Sequence, residues 1–177
     1  EALVCRACVG ATEITGLSLP SDQGIVGRST QGNHPEIIRD AQNDPRFYKG
    51  VDEETGFTTL SILCAPLSVK DERIGAIELI NKKTDDGLFD EQDLHLLSAM
   101  ASSAALAILN ARMAEALVEQ ERLARELELA AEIQRSLLPD EPDEGYPIYG
   151  INVPARTVSG DFFDFFELAD GRICFNL

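Results

Sequence analysis

Residues 60–82, LSILCAPLSVKDERIGAIELINK, decide the fold. Two β-prone segments, 60–69 and 74–81, flank the polar segment 70–73, and this order predicts a β-hairpin that a turn at 84–87 ends. In the second segment, apolar side chains occur at odd and even positions alike. Since alternate side chains of a strand point to opposite faces, we predict that this strand lies at the centre of an antiparallel sheet.

The 177-residue chain is acidic: 15 Lys and Arg stand against 31 Asp and Glu, for a net charge of −16. Because phosphate groups and anionic lipids repel such a charge, we expect neither nucleic-acid binding nor docking to a membrane. We find no apolar run that approaches the roughly 20 residues of a membrane-spanning helix. The chain starts at Glu1 and stops at Leu177, each inside a predicted strand, so we expect a piece of a longer protein.

The chain contains four cysteines in unlike contexts: Cys5, Cys8, Cys64 and Cys174. They predict no disulfide framework, and we interpret them as reduced thiols of a cytoplasmic protein. Cys5 and Cys8 have the spacing of a metal or redox pair, but the sequence has no second pair to complete it. An odd separation also places them on opposite faces of a strand, so we favour buried structural cysteines.

The region before the hairpin alternates between β-prone and glycine-containing segments. We predict a strand over 3–9, and a loop with one helical turn over 17–32. The Asn-His-Pro sequence at 33–35 has the form of a helix start, which predicts a short helix through Arg39. The polar stretch 40–57 is long for a connection and predicts a lid or binding loop.

No proline or glycine occurs from Leu88 to Leu138, which predicts one helix of roughly 70 Å. Asp90 can cap its start, with Asp93 three residues later as in a capping box. The first half is alanine-rich and suits packing on a sheet, whereas the second half is charged with a narrow apolar seam. We predict a parallel two-stranded coiled coil, with a single exposed helix as the alternative. The seam residues are Leu109, Met113, Ala116, Gln120, Leu123, Leu127, Ala130, Gln134 and Leu137.

Three prolines break the helix, and the acidic residues between them predict a stiff connector over 139–147. Strands are predicted over 148–153, 157–166 and 172–177, with Gly171 in the hairpin turn that joins the last two. Three strands cannot close a core, so we expect a second, incomplete domain to begin here.

Ordered motifs between Gly16 and Arg112 resemble those of a GAF domain. They are GLSLP at 16–20, GIVGR at 24–28, DPRF at 44–47, TGF at 55–57, SILCAPL at 61–67, IGAIELINK at 74–82, and the helix from FDEQD at 89–93 to NAR at 110–112. The resemblance implies an α+β fold, with helices on one face of a six-stranded antiparallel sheet and a small-molecule pocket on the other. It also implies a first helix and strand upstream of Leu3, which this chain lacks.

Cyclic-nucleotide-binding GAF domains carry Asn-Lys, a spacer, Phe, three residues and then Asp-Glu. Asn81, Lys82, Phe89 and Asp93 match this pattern, but Leu94 replaces the Glu. An ion pair between Lys82 and Asp93 would fasten the strand end to the long helix, and we favour a purely structural latch. A cyclic nucleotide is therefore one candidate for a ligand that the sequence does not identify. The expected pocket lining comprises loops 24–30 and 44–56 together with the segment 58–61, in which Thr58 and Ser61 are the candidate ligand contacts.

Three further motifs are AEIQRSLLP at 131–139, PA at 154–155 and VSGDFFDF at 158–165. They resemble the start of a SpoIIE-type domain of the metal-dependent protein phosphatase (PPM) family. The resemblance implies the first strands of an α/β-sandwich domain that hydrolyses phosphoserine or phosphothreonine on a protein, usually an anti-sigma-factor antagonist. It implies Mn²⁺ or Mg²⁺ as the cofactor.

Paired metal ions at such a centre need several carboxylate ligands, because the metals neutralise phosphate and generate hydroxide. Asp161 and Asp164 are the candidates, and their odd separation in one predicted strand places them on opposite faces. We prefer Asp161 as the ligand and interpret Asp164 as an edge or hydrogen-bonding carboxylate. One carboxylate cannot hold two metals and the family's other ligands would follow Leu177, so we expect this chain to be catalytically inactive.

The predicted organisation is a GAF sensor (1–110), a coiled-coil linker helix (111–138), the connector (139–147) and the start of a phosphatase domain (148–177). We predict a bacterial signalling protein in which ligand binding acts through a homodimeric linker on dephosphorylation of a phosphoprotein. The first alternative is a non-enzymatic GAF sensor and dimerisation module. The second is a GAF regulator of nucleotide-cyclase or phosphodiesterase type, against which the motifs at 129–166 argue.

Overall fold

The structure is a computed structural model, and it describes residues 2–10, 12–83, 86–140 and 145–177. Thr84 and Asp85 of the predicted turn lie outside the described residues, as do residues 141–144 of the predicted connector. The chain divides into two units, Glu1–Ala111 and Arg112–Leu177. Helix α3 (Glu91–Leu137) runs from the first unit into the second and confirms the predicted long helix.

The predicted hairpin is confirmed. Strands β4 (Ile62–Val69) and β5 (Glu72–Ile80) pair antiparallel, and the register shifts between Leu67 and Ser68. The short strand β3 (Glu36–Ile38) pairs antiparallel with the other edge of β4. The strand order is therefore β3-β4-β5.

Strand β5 lies at an edge of this sheet, so the prediction of a central strand is wrong for the described residues. Leu79 and Ile80 are accordingly exposed. The implied six-stranded sheet is likewise not formed by the described residues, which give three strands here and a separate pair of β1 (Ala2–Val4) with β2 (Ser18–Pro20). Apolar alternation shows which faces a strand can bury, but not which strand pairs with its edge.

Helix α1 (Gly24–Gly32) occupies most of the region predicted to be a loop at 17–32. Asn33 follows it with φ 54°, in the left-handed conformation that ends helices. The predicted helix from residue 33 to Arg39 is therefore wrong, and β3 stands in its place. Its consecutive β-branched isoleucines, at positions 37 and 38, favour a strand.

The polar stretch 40–57 contains a 3-10 helix (Ala41–Asn43) and helix α2 (Gly50–Thr55), so it is not a structureless lid. Asp52 of α2 accepts hydrogen bonds from Thr59 N–H (2.8 Å), Thr59 Oγ1 (2.7 Å) and Gln42 Nε2 (2.9 Å). A carboxylate with three donors is held in one position, and it fastens α2 to the start of the hairpin.

The sheet has two packed faces. The α1 face buries Ile25, Ile38, Ala41, Ile62 and Cys64. The α3 face buries Leu63, Ala65, Phe89, Leu97 and Ala101. Alternation along β4 divides its side chains between the two faces, as the pleat of a strand requires.

The predicted capping box at the start of α3 is confirmed. Asp90 Oδ1 accepts hydrogen bonds from the N–H groups of Gln92 (2.8 Å) and Asp93 (3.0 Å), and Asp93 Oδ2 accepts one from Asp90 N–H (3.0 Å). These bonds satisfy N–H groups that the first helical turn cannot pair internally.

Helix α3 includes an 18-residue window of mean hydropathy 1.5, long and apolar enough by composition to cross a membrane. Residues 94–111 carry no charged side chain, so the expectation that no apolar run approaches that length is wrong. One such helix is weak support for a membrane span. Leu97 and Ala101 pack on the sheet, but only 17% of the window is buried, and Leu96, Met100 and Leu106 are exposed.

In the second unit, β6 (Asp164–Glu167) pairs antiparallel with β7 (Ile173–Asn176). Gly171 adopts φ 80° in the turn between them and confirms the predicted hairpin turn. The predicted strand at 157–166 begins only at Asp164, and 148–153 forms no strand. Alternate apolar residues in that segment stay exposed, since no described strand pairs with it.

Candidate functional site

The predicted pocket residues form a structural network at the end of β5. Asn81 adopts φ 54° and its Oδ1 accepts hydrogen bonds from Leu60 N–H (2.7 Å) and Ser61 N–H (3.3 Å). Its Nδ2 donates to the carbonyl of Thr58 (2.8 Å). Ser61 is buried and its hydroxyl donates to the carbonyl of Gly87 (2.7 Å). These bonds fasten the two strand ends to the segment that leads into α3.

The predicted ion pair between Lys82 and Asp93 is confirmed, with Nζ 2.5 Å from Asp93 Oδ2 and 3.7 Å from Asp90 Oδ2. The hydrogen bond between them raises the pKa of Lys82 and lowers that of Asp93. Phe89 is buried in the α3-face core. These contacts agree with the structural latch. A ligand contact stays a prediction for each of the candidate residues Thr58, Ser61, Asn81, Lys82, Phe89 and Asp93.

A row of polar side chains crosses the α1 face. Glu36 of β3 pairs with Cys64 of β4, and Cys64 pairs with Glu78 of β5. Directly paired residues project to the same face, so the two glutamates flank Cys64, with their backbones about 10 Å apart, twice the strand spacing. The Cys64 thiol hydrogen-bonds with Ser29 of α1, and burial raises its pKa. The thiol therefore stays protonated and serves packing.

Glu78 is exposed, and the structure gives its carboxyl group no hydrogen bond or ion pair with any described residue. Surrounding protein atoms nevertheless desolvate it and raise its pKa to about 7. Glu78 therefore changes its charge near neutral pH, and it can donate or accept a hydrogen bond there.

Glu36 lies at the other end of the row and its side chain is 7% exposed. Arg46 Nη1 donates to its Oε2 (3.0 Å), and Arg28 Nε lies 3.4 Å from Oε1. Oε1 accepts no hydrogen bond from the described residues. Arg46 also pairs with Asp44 at 2.6 Å and lowers the pKa of Asp44 to about 2. This end of the row is therefore a cluster of ion pairs in which one buried oxygen, Glu36 Oε1, accepts no hydrogen bond.

Sequence reasoning missed these groups, although it contained one signal for them. On β5, Glu78 stands between Ala76 and Ile80, in a stretch at 74–80 that is otherwise apolar. A carboxylate at such a position is costly unless it has a partner or a function. Arg28 and Arg46 lie within the recognised motifs at 24–28 and 44–47, but their common partner Glu36 was predicted to be helical.

An open depression of about 570 Å³ lies elsewhere in the first unit. It shares only Glu54 and Thr55 with the predicted pocket lining. It is lined by Thr12, Glu13, Ile14, Thr15, Leu17, Ser18, Glu54 and Thr55. Its polar side chains are surface groups, so it is a weaker candidate than the α1 face.

Neither cysteine of the Cys5 and Cys8 pair lies in a strand, because β1 ends at Val4. Both are half-buried, so the prediction of buried structural cysteines is wrong for them. Their thiols hydrogen-bond with the carbonyls of Ala7 (3.5 Å) and Thr12 (3.3 Å).

In the second unit, Asp161 is exposed and precedes β6, whereas Asp164 is the first residue of that strand. The prediction that both lie in one strand is therefore wrong. Across the part of the chain that the structure describes, no three His, Cys, Asp or Glu side chains are grouped closely enough to hold a metal ion. The described residues do not fit a two-metal centre, and the assignment of Asp161 or Asp164 as ligands stays a prediction.

The first unit has a hairpin-centred sheet, helices on both of its faces and a row of polar side chains on the α1 face, and these features define a small α+β domain. The GAF domain family matches residues 6–108, and the chain belongs to the GAF family. GAF domains are regulatory modules, which places this chain in signal transduction.

Curated relatives are large cyclic-nucleotide enzymes. The chain is 35% identical over 98 residues to dual 3′,5′-cyclic-AMP and -GMP phosphodiesterase 11A of Takifugu rubripes, covering 55% of this chain and 11% of that protein. It is 29% identical over 143 residues to the probable 3′,5′-cyclic phosphodiesterase pde-5 of Caenorhabditis elegans, covering 81% and 19%. The chain thus spans less than a fifth of these relatives.

Solved structures include similar chains. The GAF domain of a phosphoenolpyruvate-protein phosphotransferase (ptsP) from Coxiella burnetii has a TM-score of 0.49 at 23% identity, covering 56% of this chain and 58% of that one.

Proposed function

We propose that this chain is the sensory part of a signalling protein and that a small molecule binds on the α1 face of its GAF domain. The observation that carries the proposal is Glu78, a carboxyl group on the α1 face that surrounding protein atoms desolvate and that has no partner among the described residues. Such a group costs stability in the free protein, and a ligand that hydrogen-bonds to it would offset that cost.

A cyclic nucleotide is the first ligand to test. A purine base presents ring and exocyclic N–H groups together with acceptor nitrogens, and a carboxyl group with a pKa of about 7 can match either kind of atom. The relatives act on cyclic AMP and cyclic GMP according to their names, which favours this class. The charged groups around Glu36 supply both carboxylates and guanidinium groups about 10 Å away.

Isothermal titration of cyclic GMP and cyclic AMP tests this ligand. We expect the Glu78→Gln variant to bind at least tenfold more weakly than the wild type. The matched control is Glu72→Gln, which changes an exposed carboxylate on the same strand and should leave affinity unchanged. If the wild type binds neither nucleotide, the cyclic-nucleotide assignment is wrong. Equal affinities of Glu78→Gln and wild type would contradict the α1-face site.

For the output, we propose a SpoIIE-type protein phosphatase in the whole protein, with a phosphorylated anti-sigma-factor antagonist as substrate. The motifs at 131–139 and 158–165 support it. Mn²⁺ or Mg²⁺ is the cofactor that the resemblance implies for the whole protein. Mn²⁺-dependent release of phosphate from that substrate by the whole protein is the test. The relatives favour a second candidate, regulation of a phosphodiesterase, and cyclic-nucleotide hydrolysis by the whole protein would decide for it.

We also propose that the linker helix forms a homodimer. Met113, Leu123 and Leu127 are 58%, 56% and 42% exposed in the middle of the predicted seam, and a second copy would cover them. We expect Leu123→Glu combined with Leu127→Glu to yield a monomer in light scattering. The amide NMR signals of the GAF domain should be unchanged. A control with Glu119→Gln, an exposed change on the same helix, should remain dimeric. A dimer of unchanged strength in the double variant would contradict the seam.

A further inference from the structure

One predicted seam residue is engaged inside its own chain. Gln134 Nε2 donates to the carbonyl of Ser159 (2.7 Å), and Ser159 N–H donates to Gln134 Oε1 (2.8 Å). Both residues are half-buried and belong to the second unit. The amide is therefore already bonded within its own unit and is not free to contact a partner helix.

This pair of bonds needs an amide side chain. A primary amide carries a donor and an acceptor side by side, so it can pair with one residue's N–H and C=O as a neighbouring strand would. A carboxylate offers only acceptors, and an ammonium only donors. Gln134 thus holds the backbone at Ser159 in a way that Glu or Lys cannot reproduce.

The residues after Ser159 are held in turn. Asp161 N–H donates to Ser159 Oγ (3.2 Å), and the Asp161 carbonyl accepts a hydrogen bond from Asn152 Nδ2 (2.8 Å). The Asp161 side chain is exposed and makes no hydrogen bond or ion pair with the described residues. The backbone of Asp161 is therefore fixed while its carboxylate remains available.

We propose that Gln134 is a positioning residue, through which the last turns of helix α3 fix the turn at 159–161 and hence the carboxylate of Asp161. A change in the helix at this level moves or releases that turn. The coupling between Gln134 and the turn rests on the two hydrogen bonds between Gln134 and Ser159. The use of the Asp161 carboxylate in phosphoryl chemistry rests on the proposed function.

The test uses amide NMR of the chain with Gln134→Glu and the matched control Gln120→Glu, a change at the other glutamine of the seam. At pH 7, we expect the Ser159 and Asp161 amide signals to shift in Gln134→Glu and their hydrogen exchange to be at least tenfold faster. The introduced Glu regains a donor when protonated, so these shifts should return towards wild-type values with a midpoint between about pH 4 and 5. Gln120→Glu should leave both amides unchanged.

Two outcomes would overturn the proposal: unchanged Ser159 and Asp161 amides in Gln134→Glu, or equal changes in Gln120→Glu. A change without the pH-dependent return would show a structural defect only, and it would also contradict the positioning role. Mn²⁺ added to the wild type separates the proposed function from this inference. If Mn²⁺ fails to broaden the Asp161 amide signal while the pH-dependent return is seen, the metal assignment is wrong and the positioning role holds.

Discussion

The two faces of one sheet differ in how completely their polar groups are paired. On the α3 face, the side chains of Asn81, Ser61 and Lys82 make hydrogen bonds or ion pairs within the domain, and Phe89 is buried beside them. On the α1 face, Glu78 has no partner among the described residues and one oxygen of the buried Glu36 accepts no hydrogen bond.

This difference indicates that the polar groups of the α3 face stabilise the domain, whereas those of the α1 face are available to a ligand. A face whose polar atoms are all paired can gain nothing from a ligand, whereas unpaired carboxyl groups on a desolvated face can. The residues of the sequence motif lie at the first kind of face, whereas the unpaired Glu78 and the Glu36 oxygen that accepts no hydrogen bond lie at the second. The motif residues join the sheet to helix α3, and a ligand contact by them stays a prediction.

The largest expected effect concerns the two phenylalanines that pack on opposite faces. Phe89→Ala on the α3 face should lower the free energy of unfolding by about 3–5 kcal/mol, since it opens a cavity in a closed core. Phe47→Ala on the α1 face should cost less than half of this, because Phe47 is only partly buried. Urea denaturation of both variants provides the measurement. Equal losses would remove the distinction between the faces.

A smaller effect is expected from Glu78 and depends on pH. Its pKa is raised from 4.5 to about 7 in the folded chain. Between these values the folded state holds a proton that the unfolded state has lost, so stability falls as pH rises through this window. Glu78→Gln should therefore be more stable than wild type at pH 8 by about 1 kcal/mol, a figure reduced for solvent access.

Urea denaturation at pH 8 and near pH 4.5 measures this dependence, and the two proteins should converge at the lower pH. The control Glu72→Gln should match the wild type at both values. A Glu78→Gln variant whose stability parallels that of the wild type across the range would show that the carboxyl group is fully hydrated.

The smallest effect is expected at the latch. Asp93→Asn removes the ion pair with Lys82, so the melting temperature should fall modestly, and by less at high salt. The exposed helical pair of Arg122 and Glu126 supplies the control, because Arg122→Gln should leave the melting temperature nearly unchanged. Cyclic-nucleotide affinity should not change in Asp93→Asn. A loss of affinity equal to that of Glu78→Gln would place the site at the latch instead.

The sequence predicts the parts of this fold that depend on local chemistry. The hairpin, the capping box at Asp90, the long helix and the ion pair of Lys82 with Asp93 follow from periodicity, capping residues and spacing. The segment at 33–39 was predicted wrongly because the left-handed Asn33 ends one helix and does not start another. The polar row on the α1 face depends on strand register, which joins Glu36, Cys64 and Glu78 from distant parts of the chain.

The most direct test of the central claim, that the α1 face is the desolvated binding face, is a pH titration of the Glu78 side-chain carboxyl carbon by carbon-13 NMR in the chain without ligand. We expect a midpoint near 7 for Glu78. A midpoint near the ordinary glutamate value of about 4.3 would mean that its carboxyl group is an ordinary surface group, and it would contradict a desolvated binding face.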